Sequence, residues 1–334
     1  MMNIAILDDY QDIVRQLDCF ALLAAHQVTV YNDTVTDHDR LVERLHDQDA
    51  VVLIRERSTI SAALLAALPR LKLISQTGKI SNHIRLQDCT DNGIAFAEGR
   101  GSPIAPAELC WSLIMAASRQ LPGYLQQLRQ GRWQQSGPPA STPVFGRTLK
   151  GLTLGIWGYG KIGQRIARYA QAFEMSVLVW GSRASRDKAV ADGFEAAEDQ
   201  SGFFQQADII SLHLRLNAAT RHIIDANDLA QMRPDALLVN TSRAELIQPG
   251  ALVAALQAGR PGFAAVDVYD TEPSTPQQER LMTLPNVLCT PHLGYVEQNS
   301  YALYFRIAFD NINAFFAGQA ENIANPEVLD TVRH

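Results

Sequence analysis

The stretch Gly158-Tyr159-Gly160-Lys161-Ile162-Gly163 decides the fold that the sequence predicts. The apolar run Leu152–Trp157 precedes it, and a helical pattern over Lys161–Phe173 follows it. Glycines at this spacing, between a strand and a helix, permit a tight turn, a close approach of the backbone to a pyrophosphate and close packing of the helix on the strand. The amides at the start of the helix would hold the phosphates. We therefore interpret the stretch as a dinucleotide-binding turn rather than an ordinary glycine turn.

The residues after the next strand bear on which dinucleotide binds. The predicted strand Ser176–Trp180 ends where an NAD site usually places Asp or Glu to bind the ribose 2′-hydroxyl. The chain has Gly181-Ser182-Arg183 instead, and Ser and Arg side chains can bind a 2′-phosphate. The sequence predicts an NAD(P) cofactor with a preference for NADP. The alternative is that Arg183 is a solvated surface residue.

Short apolar runs alternate with amphipathic stretches in both halves of the chain, which is typical of parallel βαβ units. In the first hundred residues, helices are predicted over Tyr10–Ala24, Asp37–Asp47 and Ser61–Ala67. The predicted strands there are Asn3–Leu7, Gln27–Tyr31, Ala50–Ile54, Leu71–Ser75 and Gly93–Glu98. Those of the second series are Leu152–Trp157, Ser176–Trp180, Asp208–His213, Ala236–Asn240, Gly262–Val266 and Val287–Cys289. The pattern indicates two doubly wound parallel-sheet domains.

The remaining segments are predicted as helices and one loop. Ile104–Arg132 is predicted as a long helical region interrupted near Pro122-Gly123, and Gln134–Gly146 as a loop because it is rich in Pro, Gly and Ser. Pro249–Ala258 is predicted as a helix with Pro249 in its first turn. The amphipathic tail Gln298–Ala317 is a docking helix, whose return to the first domain would make that domain discontinuous.

Composition limits the class of protein. The chain has 334 residues, 47% of them hydrophobic and 19% charged, which favours two soluble domains over one. The net charge of -6 argues against nucleic-acid or membrane partners. The four cysteines are scattered, without a metal-ligand spacing, so no metal is predicted. Free thiols and a start without a signal peptide favour a cytoplasmic location.

Three ordered motifs give the chemistry. They are Asn240-Thr241-Ser242-Arg243, then Asp267-Val268-Tyr269-Asp270-Thr271-Glu272-Pro273, then Thr290-Pro291-His292-Leu293-Gly294. Together with the glycine turn, they resemble the signatures of the D-2-hydroxyacid dehydrogenase family, which includes D-3-phosphoglycerate dehydrogenases and glyoxylate/hydroxypyruvate reductases. The resemblance covers nearly the whole chain. It implies a flavodoxin-like substrate domain of residues 1–100 with 296–334, and a Rossmann NAD(P)-binding domain of residues 101–295.

The resemblance also implies roles for individual residues. His292 matches the general acid/base, for which a histidine suits because its ordinary pKa lies near working pH. Glu272 matches the carboxylate that pairs with this base, and Arg243 the guanidinium that binds the substrate carboxylate and polarises its C2 oxygen. Asp267 matches a residue near the nicotinamide carboxamide, and Thr241 is expected to contact the cofactor. Asp267 following an apolar strand could instead simply cap it.

The substrate is less well defined. The resemblance places Gly78 and Lys79 in the loop whose backbone amides meet the substrate carboxylate. Arg55 and Arg57 resemble the arginines that contact the phosphate in phosphoglycerate dehydrogenases, so either could bind a phosphate or a distal carboxylate. Surface ion pairs are the alternative for Arg55, Arg57 and Lys79. Family members often have Gly after the catalytic Arg, where this chain has Ala244, which is tolerable if its φ is negative.

The predicted function is hydride transfer between a nicotinamide and C2 of a small D-2-hydroxy or 2-oxo acid. The competing class is a dinucleotide-sensing, corepressor-like protein of the same fold, and a third possibility is a formate-type dehydrogenase. The resemblance implies a homodimer, with an interface in the helical region Ile104–Arg132 that includes Trp111 and Leu113. Packing within the chain explains these two residues equally well.

Overall fold

A computed structural model describes residues 1–137 and 145–330 of the chain. They form two compact units: residues 1–102 with 297–330, here called the first unit, and residues 103–137 with 145–296, the second unit. Of the predicted loop Gln134–Gly146, residues 138–144 lie outside the described ranges. No described helix combines the length and the apolar character that a membrane span requires.

The first unit contains a parallel five-stranded sheet in the order β2-β1-β3-β4-β5. Its strands are β1 Asn3–Ile6, β2 Gln27–Val30, β3 Ala50–Leu53, β4 Leu73–Gln76 and β5 Ala95–Ala97. Strand order reverses between β1 and β3, which is the flavodoxin-like arrangement that the sequence predicted. The carboxyl ends of these two strands are followed by Asp8 and Arg55, both at positive φ.

The described part of the first unit contains four α-helices, three of which begin at a side-chain cap. They are α1 His38–Leu45, α2 Ala62–Ala66, α3 Leu86–Asp91 and the C-terminal helix Gln298–Phe316. Asp37 and Ser61 accept hydrogen bonds from the first-turn amides of α1 and α2, as their residue types indicated. The C-terminal helix packs on β4, where the Ser75 hydroxyl donates to the Ala308 carbonyl at 2.9 Å.

The predicted helix Tyr10–Ala24 is wrong. The chain forms two short 3-10 helices there, Val14–Gln16 and Asp18–Leu23, and a third, Pro326–Asp330, near the end of the described residues. Asp12 has a φ of 49°, and Leu17 is extended at φ -75° and ψ 135°. These two interruptions break the α-helical register.

The second unit contains a parallel seven-stranded sheet in the order β12-β11-β10-β9-β6-β7-β8. Its strands are β6 Thr153–Trp157, β7 Ser176–Trp180, β8 Glu195–Ala196, β9 Ile209–Leu212, β10 Leu237–Asn240, β11 Phe263–Val266 and β12 Val287–Cys289. The order reverses between β6 and β9, as in a Rossmann fold, and ligands of such sheets bind at the carboxyl ends of the strands at this point. Two parallel-sheet α/β domains are thus confirmed.

The helices of the second unit cover both faces of this sheet. They are α4 Ile104–Ser118, α5 Leu121–Arg129, α6 Lys161–Ala172, α7 Arg183–Ala191, α8 Gln200–Gln206, α9 Ala226–Ala230 and α10 Ala251–Ala258, with 3-10 turns at Ala244–Leu246 and Arg280–Thr283. The break between α4 and α5 occurs at Gln120, whose φ is 54°. Pro249 precedes α10 rather than occupying its first turn, because Gly250, at φ 75°, is the N-cap.

Candidate active site

The glycine turn between β6 and α6 uses each glycine for a different reason. Gly158 has a φ of 100°, and a Cβ there would lie 2.6 Å from the His213 carbonyl oxygen. A Cβ on Gly163 would overlap the Gly158 carbonyl oxygen, so this glycine lets α6 pack against the turn. A Cβ on Gly160 would meet no atom within 4 Å, so the backbone there faces open space at the N-terminus of α6. The turn fits a pyrophosphate, which would contact backbone amides here.

Of the other three residues of the turn, two pack in or against the core and one is exposed to solvent. Tyr159 is buried, and its hydroxyl donates to Asp192 at 3.1 Å. Burial, reinforced by this carboxylate, raises the pKa of Tyr159 to about 12. Ile162 packs on the core, and Lys161 is exposed as the first residue of α6. Tyr159 and Ile162 would therefore contact a cofactor through their backbones rather than through their side chains.

The end of β7 lies against the same turn, because the Gly158 amide donates to the Trp180 carbonyl at 2.9 Å. Gly181 follows with a φ of 143°, a conformation that favours glycine. Ser182 is the N-cap of α7 and accepts from the Ser185 amide at 3.3 Å. The Arg183 side chain is 90% exposed and lies 3.7 Å from Asp187. Of the three residues that directly follow this strand, Ser182 is polar, Arg183 is cationic, and none carries a carboxylate.

Arg243 lies just after β10, in a segment whose backbone is fixed by side-chain hydrogen bonds. The Asn240 side chain donates to the Arg243 carbonyl at 2.8 Å and accepts from the Ser242 amide at 3.0 Å. The Ser242 hydroxyl donates to the Leu212 carbonyl at the end of β9, and Thr241 lies within hydrogen-bonding reach of a buried thiol on α4. Ala244 begins a 3-10 turn and has no positive φ, so its methyl group is tolerated.

His292 and Glu272 form a direct pair. Nδ1 of His292 lies 2.5 Å from Oε2 of Glu272, whose Oε1 accepts from the Tyr269 amide at 3.0 Å. His292 has a φ of 53°, which histidine tolerates better than most residues. Its ring meets Tyr295 edge-on, with centroids 5.5 Å apart. Because Nδ1 is committed to Glu272, Nε2 is the nitrogen that can exchange a proton with a bound molecule.

Asp267 organises the loop that carries His292. Its buried carboxylate accepts from the Thr290 hydroxyl at 2.7 Å, the Leu293 amide at 2.7 Å and the Gly294 amide at 3.0 Å. Burial raises the pKa of Asp267, and these donors oppose that rise. The sequence indicated a contact with the nicotinamide carboxamide, which stays a prediction. The contact with the loop could not be read from the sequence, because it depends on β11 lying next to β12.

Arg55 and Gly78 lie together in the first unit. The Arg55 amide donates to the Thr77 hydroxyl at 3.0 Å, and its φ of 57° turns the side chain back over the following loop. A Cβ on Gly78 would overlap the Arg55 guanidinium, so the arginine side chain would have to move if residue 78 were not glycine. The Arg55 Nε lies 3.8 Å from Glu56. A cation therefore lies directly on the loop that the sequence predicted to bind an anion.

Arg57 and Lys79 are engaged elsewhere. Arg57 donates to the Asp8 carbonyl at 2.7 Å and to the Tyr301 hydroxyl at 3.3 Å, and its guanidinium lies 4.5 Å from the centre of the Tyr10 ring. Lys79 pairs with Glu98 at 2.5 Å. The ion-pair alternative thus describes the contact of Lys79, whereas Arg57 contacts a backbone carbonyl, a hydroxyl and an aromatic ring. Both residues are weaker candidates for substrate binding than Arg55.

The second unit matches a known protein family. The NAD binding domain of the D-isomer specific 2-hydroxyacid dehydrogenase family matches residues 111–294. This match covers more than half of the chain and all of the glycine turn, Arg243, Glu272 and His292. The chain belongs to this family. An NAD(P)-binding domain is thereby confirmed.

Individual relatives of this chain agree with the family. The glyoxylate reductase of Thermococcus litoralis is 32% identical over 86% of this chain and 87% of its own length. The D-3-phosphoglycerate dehydrogenase of Methanocaldococcus jannaschii is 32% identical over 86% of this chain, which spans 53% of that relative's length. A solved structure of a phosphoglycerate oxidoreductase from Vibrio cholerae is 59% identical, with a TM-score of 0.92 over 95% of this chain and 100% of that one.

These relatives also decide between the classes of function. All three are oxidoreductases by name, so the predicted class, an oxidoreductase acting on CH–OH donors, is confirmed. The corepressor-like alternative is not favoured. The relatives differ in substrate, so the substrate of this dehydrogenase has to be argued from its own residues.

Proposed function

We propose that the protein interconverts a D-2-hydroxy acid and a 2-oxo acid, with His292 as the general acid/base. The observation that carries the proposal is the 2.5 Å contact between His292 Nδ1 and Glu272, which fixes the ring and leaves Nε2 for proton exchange. When bound, the nicotinamide supplies or accepts the hydride at C2. A purified protein that reduced none of glyoxylate, hydroxypyruvate and phosphohydroxypyruvate with either NADPH or NADH would contradict the proposal.

The side chains of the second unit divide the remaining work. In the direction of reduction, the Arg243 guanidinium binds the substrate carboxylate and polarises the C2 carbonyl. His292 then donates its Nε2 proton to the C2 oxygen as that oxygen gains charge. Glu272 holds the imidazole through its contact with Nδ1 and so orients Nε2 for this transfer. In oxidation the same nitrogen takes the hydroxyl proton.

Within this function, we propose that the substrate carries a second anionic group, such as a phosphate, which Arg55 binds. Support comes from the position of the Arg55 guanidinium directly over Gly78, in the loop expected to bind the substrate carboxylate. A planar guanidinium suits phosphate and carboxylate because it offers forked donors. Arg57 would support this segment through its contacts with Asp8 and Tyr301.

Replacement of Arg55 by Gln tests the second anionic group. We expect kcat/KM for phosphohydroxypyruvate to fall by about 10²-fold, since a charge-assisted contact contributes roughly 1.5–3 kcal/mol. The kcat/KM for hydroxypyruvate, which lacks the phosphate, should change by less than about threefold. The matched control is Arg85→Gln, because Arg85 is an exposed arginine of the same unit. An equal loss for both substrates would contradict a specific role in binding the second anion.

We also propose that the cofactor is NADP. Ser182 and Arg183 stand at the N-terminus of the nine-residue helix α7, at the end of the strand that precedes the ribose position. A helix N-terminus, a hydroxyl and a guanidinium together suit a 2′-phosphate. The Arg183 side chain is exposed and only 3.7 Å from Asp187, a weak pairing that a phosphate can replace.

The substitution Ser182→Asp tests this preference without disturbing the helix. Ser182 caps α7, and Asp is an equally good N-cap, so the fold is expected to be retained. The new carboxylate should weaken NADPH binding by about 10²-fold through repulsion of the 2′-phosphate, and strengthen NADH binding. Ser182→Asn, which caps without charge, serves as the control in the same equilibrium titrations. A wild-type protein that binds NADH more tightly than NADPH would refute the preference.

The predicted homodimer is also a proposal, and its surface is revised. Leu113 is buried in the core and the half-buried Trp111 packs on Tyr169 and Phe173, so packing within the chain accounts for both residues. Helix α5 instead exposes Leu121, Leu125 and Leu128, at 44%, 54% and 51%. The spacing of these leucines places them on one helix face, and such a face is typical of a protein interface. We propose that a second copy of the chain covers it.

The double substitution Leu125→Glu with Leu128→Glu is expected to convert the dimer to a monomer in light scattering, because it would bury charges at an apolar interface. The control is Val190→Glu, since Val190 is an equally exposed apolar residue on α7, at 59%. A wild-type protein that is monomeric at all concentrations would exclude the proposed dimer.

We further propose a cytoplasmic location, because the four cysteines are free thiols.

A further inference from the structure

A histidine outside the catalytic pair lies at the point where the strand order of the second unit reverses. His213 follows β9 directly, and β9 is the neighbour of β6 on the far side from β7. The His213 amide donates to the Trp157 carbonyl at 2.8 Å, and its own carbonyl lies against Gly158. The backbone of His213 is therefore fixed to the glycine turn.

One nitrogen of the His213 ring belongs to a series of hydrogen bonds that runs through Ser211 to Cys110. Nε2 lies 2.9 Å from the Ser211 hydroxyl, which in turn lies 3.1 Å from the Cys110 thiol on α4. Ser211 and Cys110 are wholly buried, and Thr241 also reaches the thiol. Among the described residues, the other nitrogen, Nδ1, has no hydrogen-bond partner.

Burial favours the uncharged forms of the two ionisable members of this series. Burial lowers the pKa of His213 to about 4 and raises the pKa of Cys110 to about 11. A neutral imidazole has one donor and one acceptor nitrogen, and which is which depends on the direction of the Ser211 contact. The Nδ1 position thus suits a partner that can both donate and accept a hydrogen bond, which a hydroxyl group can do.

The half of the dinucleotide that lies near His213 follows from the sheet. Ser182 and Arg183 follow β7, on one side of β6, and that side takes the adenosine half. Arg243 follows β10, next to β9 on the other side, and the hydride must reach a substrate held by Arg243. The nicotinamide half therefore lies on the side of His213, and its ribose is the part next to the pyrophosphate turn.

We propose that His213 is a further cofactor-contacting residue, whose Nδ1 forms a hydrogen bond with a ribose hydroxyl of the nicotinamide half. Ser211 and Cys110 orient the ring for this contact. The inference rests on dinucleotide binding by the second unit. It assigns a function to a buried polar network that the catalytic pair does not use.

Two substitutions of His213 separate its ring nitrogens. Asn places a polar group near the position of Nδ1, and Gln places one near the position of Nε2. In equilibrium titrations of the full chain with NADPH and with NADH, His213→Gln and His213→Ala should weaken binding about tenfold, the effect of one lost hydrogen bond. His213→Asn should stay within about threefold of the wild type. His222→Asn, an exposed histidine of the same unit at positive φ, is the control.

A second titration isolates the half of the cofactor concerned. Because 2′,5′-ADP and 5′-AMP lack the nicotinamide ribose, their dissociation constants should be the same in all four variants and the wild type. The inference is overturned if His213→Gln binds NADPH and NADH as tightly as the wild type. It is also overturned if Asn and Gln weaken binding equally, or if 2′,5′-ADP binding falls in parallel. A wild-type chain that binds neither dinucleotide would instead refute the cofactor function itself.

Discussion

His292→Asn is expected to reduce kcat by about 10³- to 10⁴-fold, because it removes the side chain that we propose as the general acid/base. Asn is the better probe than Ala, since residue 292 has a φ of 53° and Asn tolerates that conformation. The fold and the loop contacts of Asp267 should therefore persist. The dissociation constant of NADPH should change by less than about twofold, because the substitution leaves the glycine turn intact.

Glu272→Gln is the companion to this variant. It keeps the acceptor for the Tyr269 amide but removes the charge beside His292. We expect a smaller loss of kcat, about 10- to 10²-fold, because the charge-assisted contact that orients the His292 ring is lost while the ring itself remains. If His292→Asn retained more than about a tenth of wild-type kcat, His292 would not be the acid/base.

Arg243→Ala is expected to lower kcat/KM for any 2-oxo acid by about 10³-fold or more, since it removes both the carboxylate contact and the polarisation of the C2 oxygen that we propose for Arg243. The backbone of the segment should hold, because Asn240 and Ser242 fix it through groups that the substitution does not touch. Steady-state kinetics with varied 2-oxo acid, together with NADPH titration, measure the two effects separately.

Arg243→Lys controls for charge alone. A lysine keeps the positive charge but cannot form the forked contact with a carboxylate, so it should recover only a small part of the lost kcat/KM. Full recovery in the lysine variant would show that the site needs only a charge. A loss of less than about tenfold in the alanine variant would remove Arg243 from the proposed mechanism.

Features that depend on local backbone demands could be predicted from the sequence. The glycine turn is the clearest case, because Gly158 and Gly163 are required by atoms within or beside the turn itself. Strand β7, with the bounds Ser176–Trp180, and the caps Asp37 and Ser61 were also predicted correctly. Apolar runs and short polar caps report their own conformations, since neighbouring residues determine them.

Features that depend on distant contacts could not be predicted. The interruptions at Asp12 and Leu17 replace a helix that the local pattern favoured. The sequence made Lys79 a candidate for substrate binding, but its ammonium group pairs with Glu98, which lies 19 residues further along the chain. The sequence did not single out His213 as a functional residue, because Ser211 and Cys110 come together only when α4 packs on the sheet. A single sequence does not record which strands become neighbours.

The return of the C-terminal helix Gln298–Phe316 to the first unit has a consequence for biosynthesis. Ser75 and Phe20 are made early, yet their partners Ala308 and Phe309 leave the ribosome only after the whole second unit has been translated. The first unit to be synthesised is thus the last to be completed, and the face of its sheet that the C-terminal helix covers stays exposed while the second unit is free to fold. A nascent chain arrested before residue 298 should therefore need chaperone protection that the released chain does not.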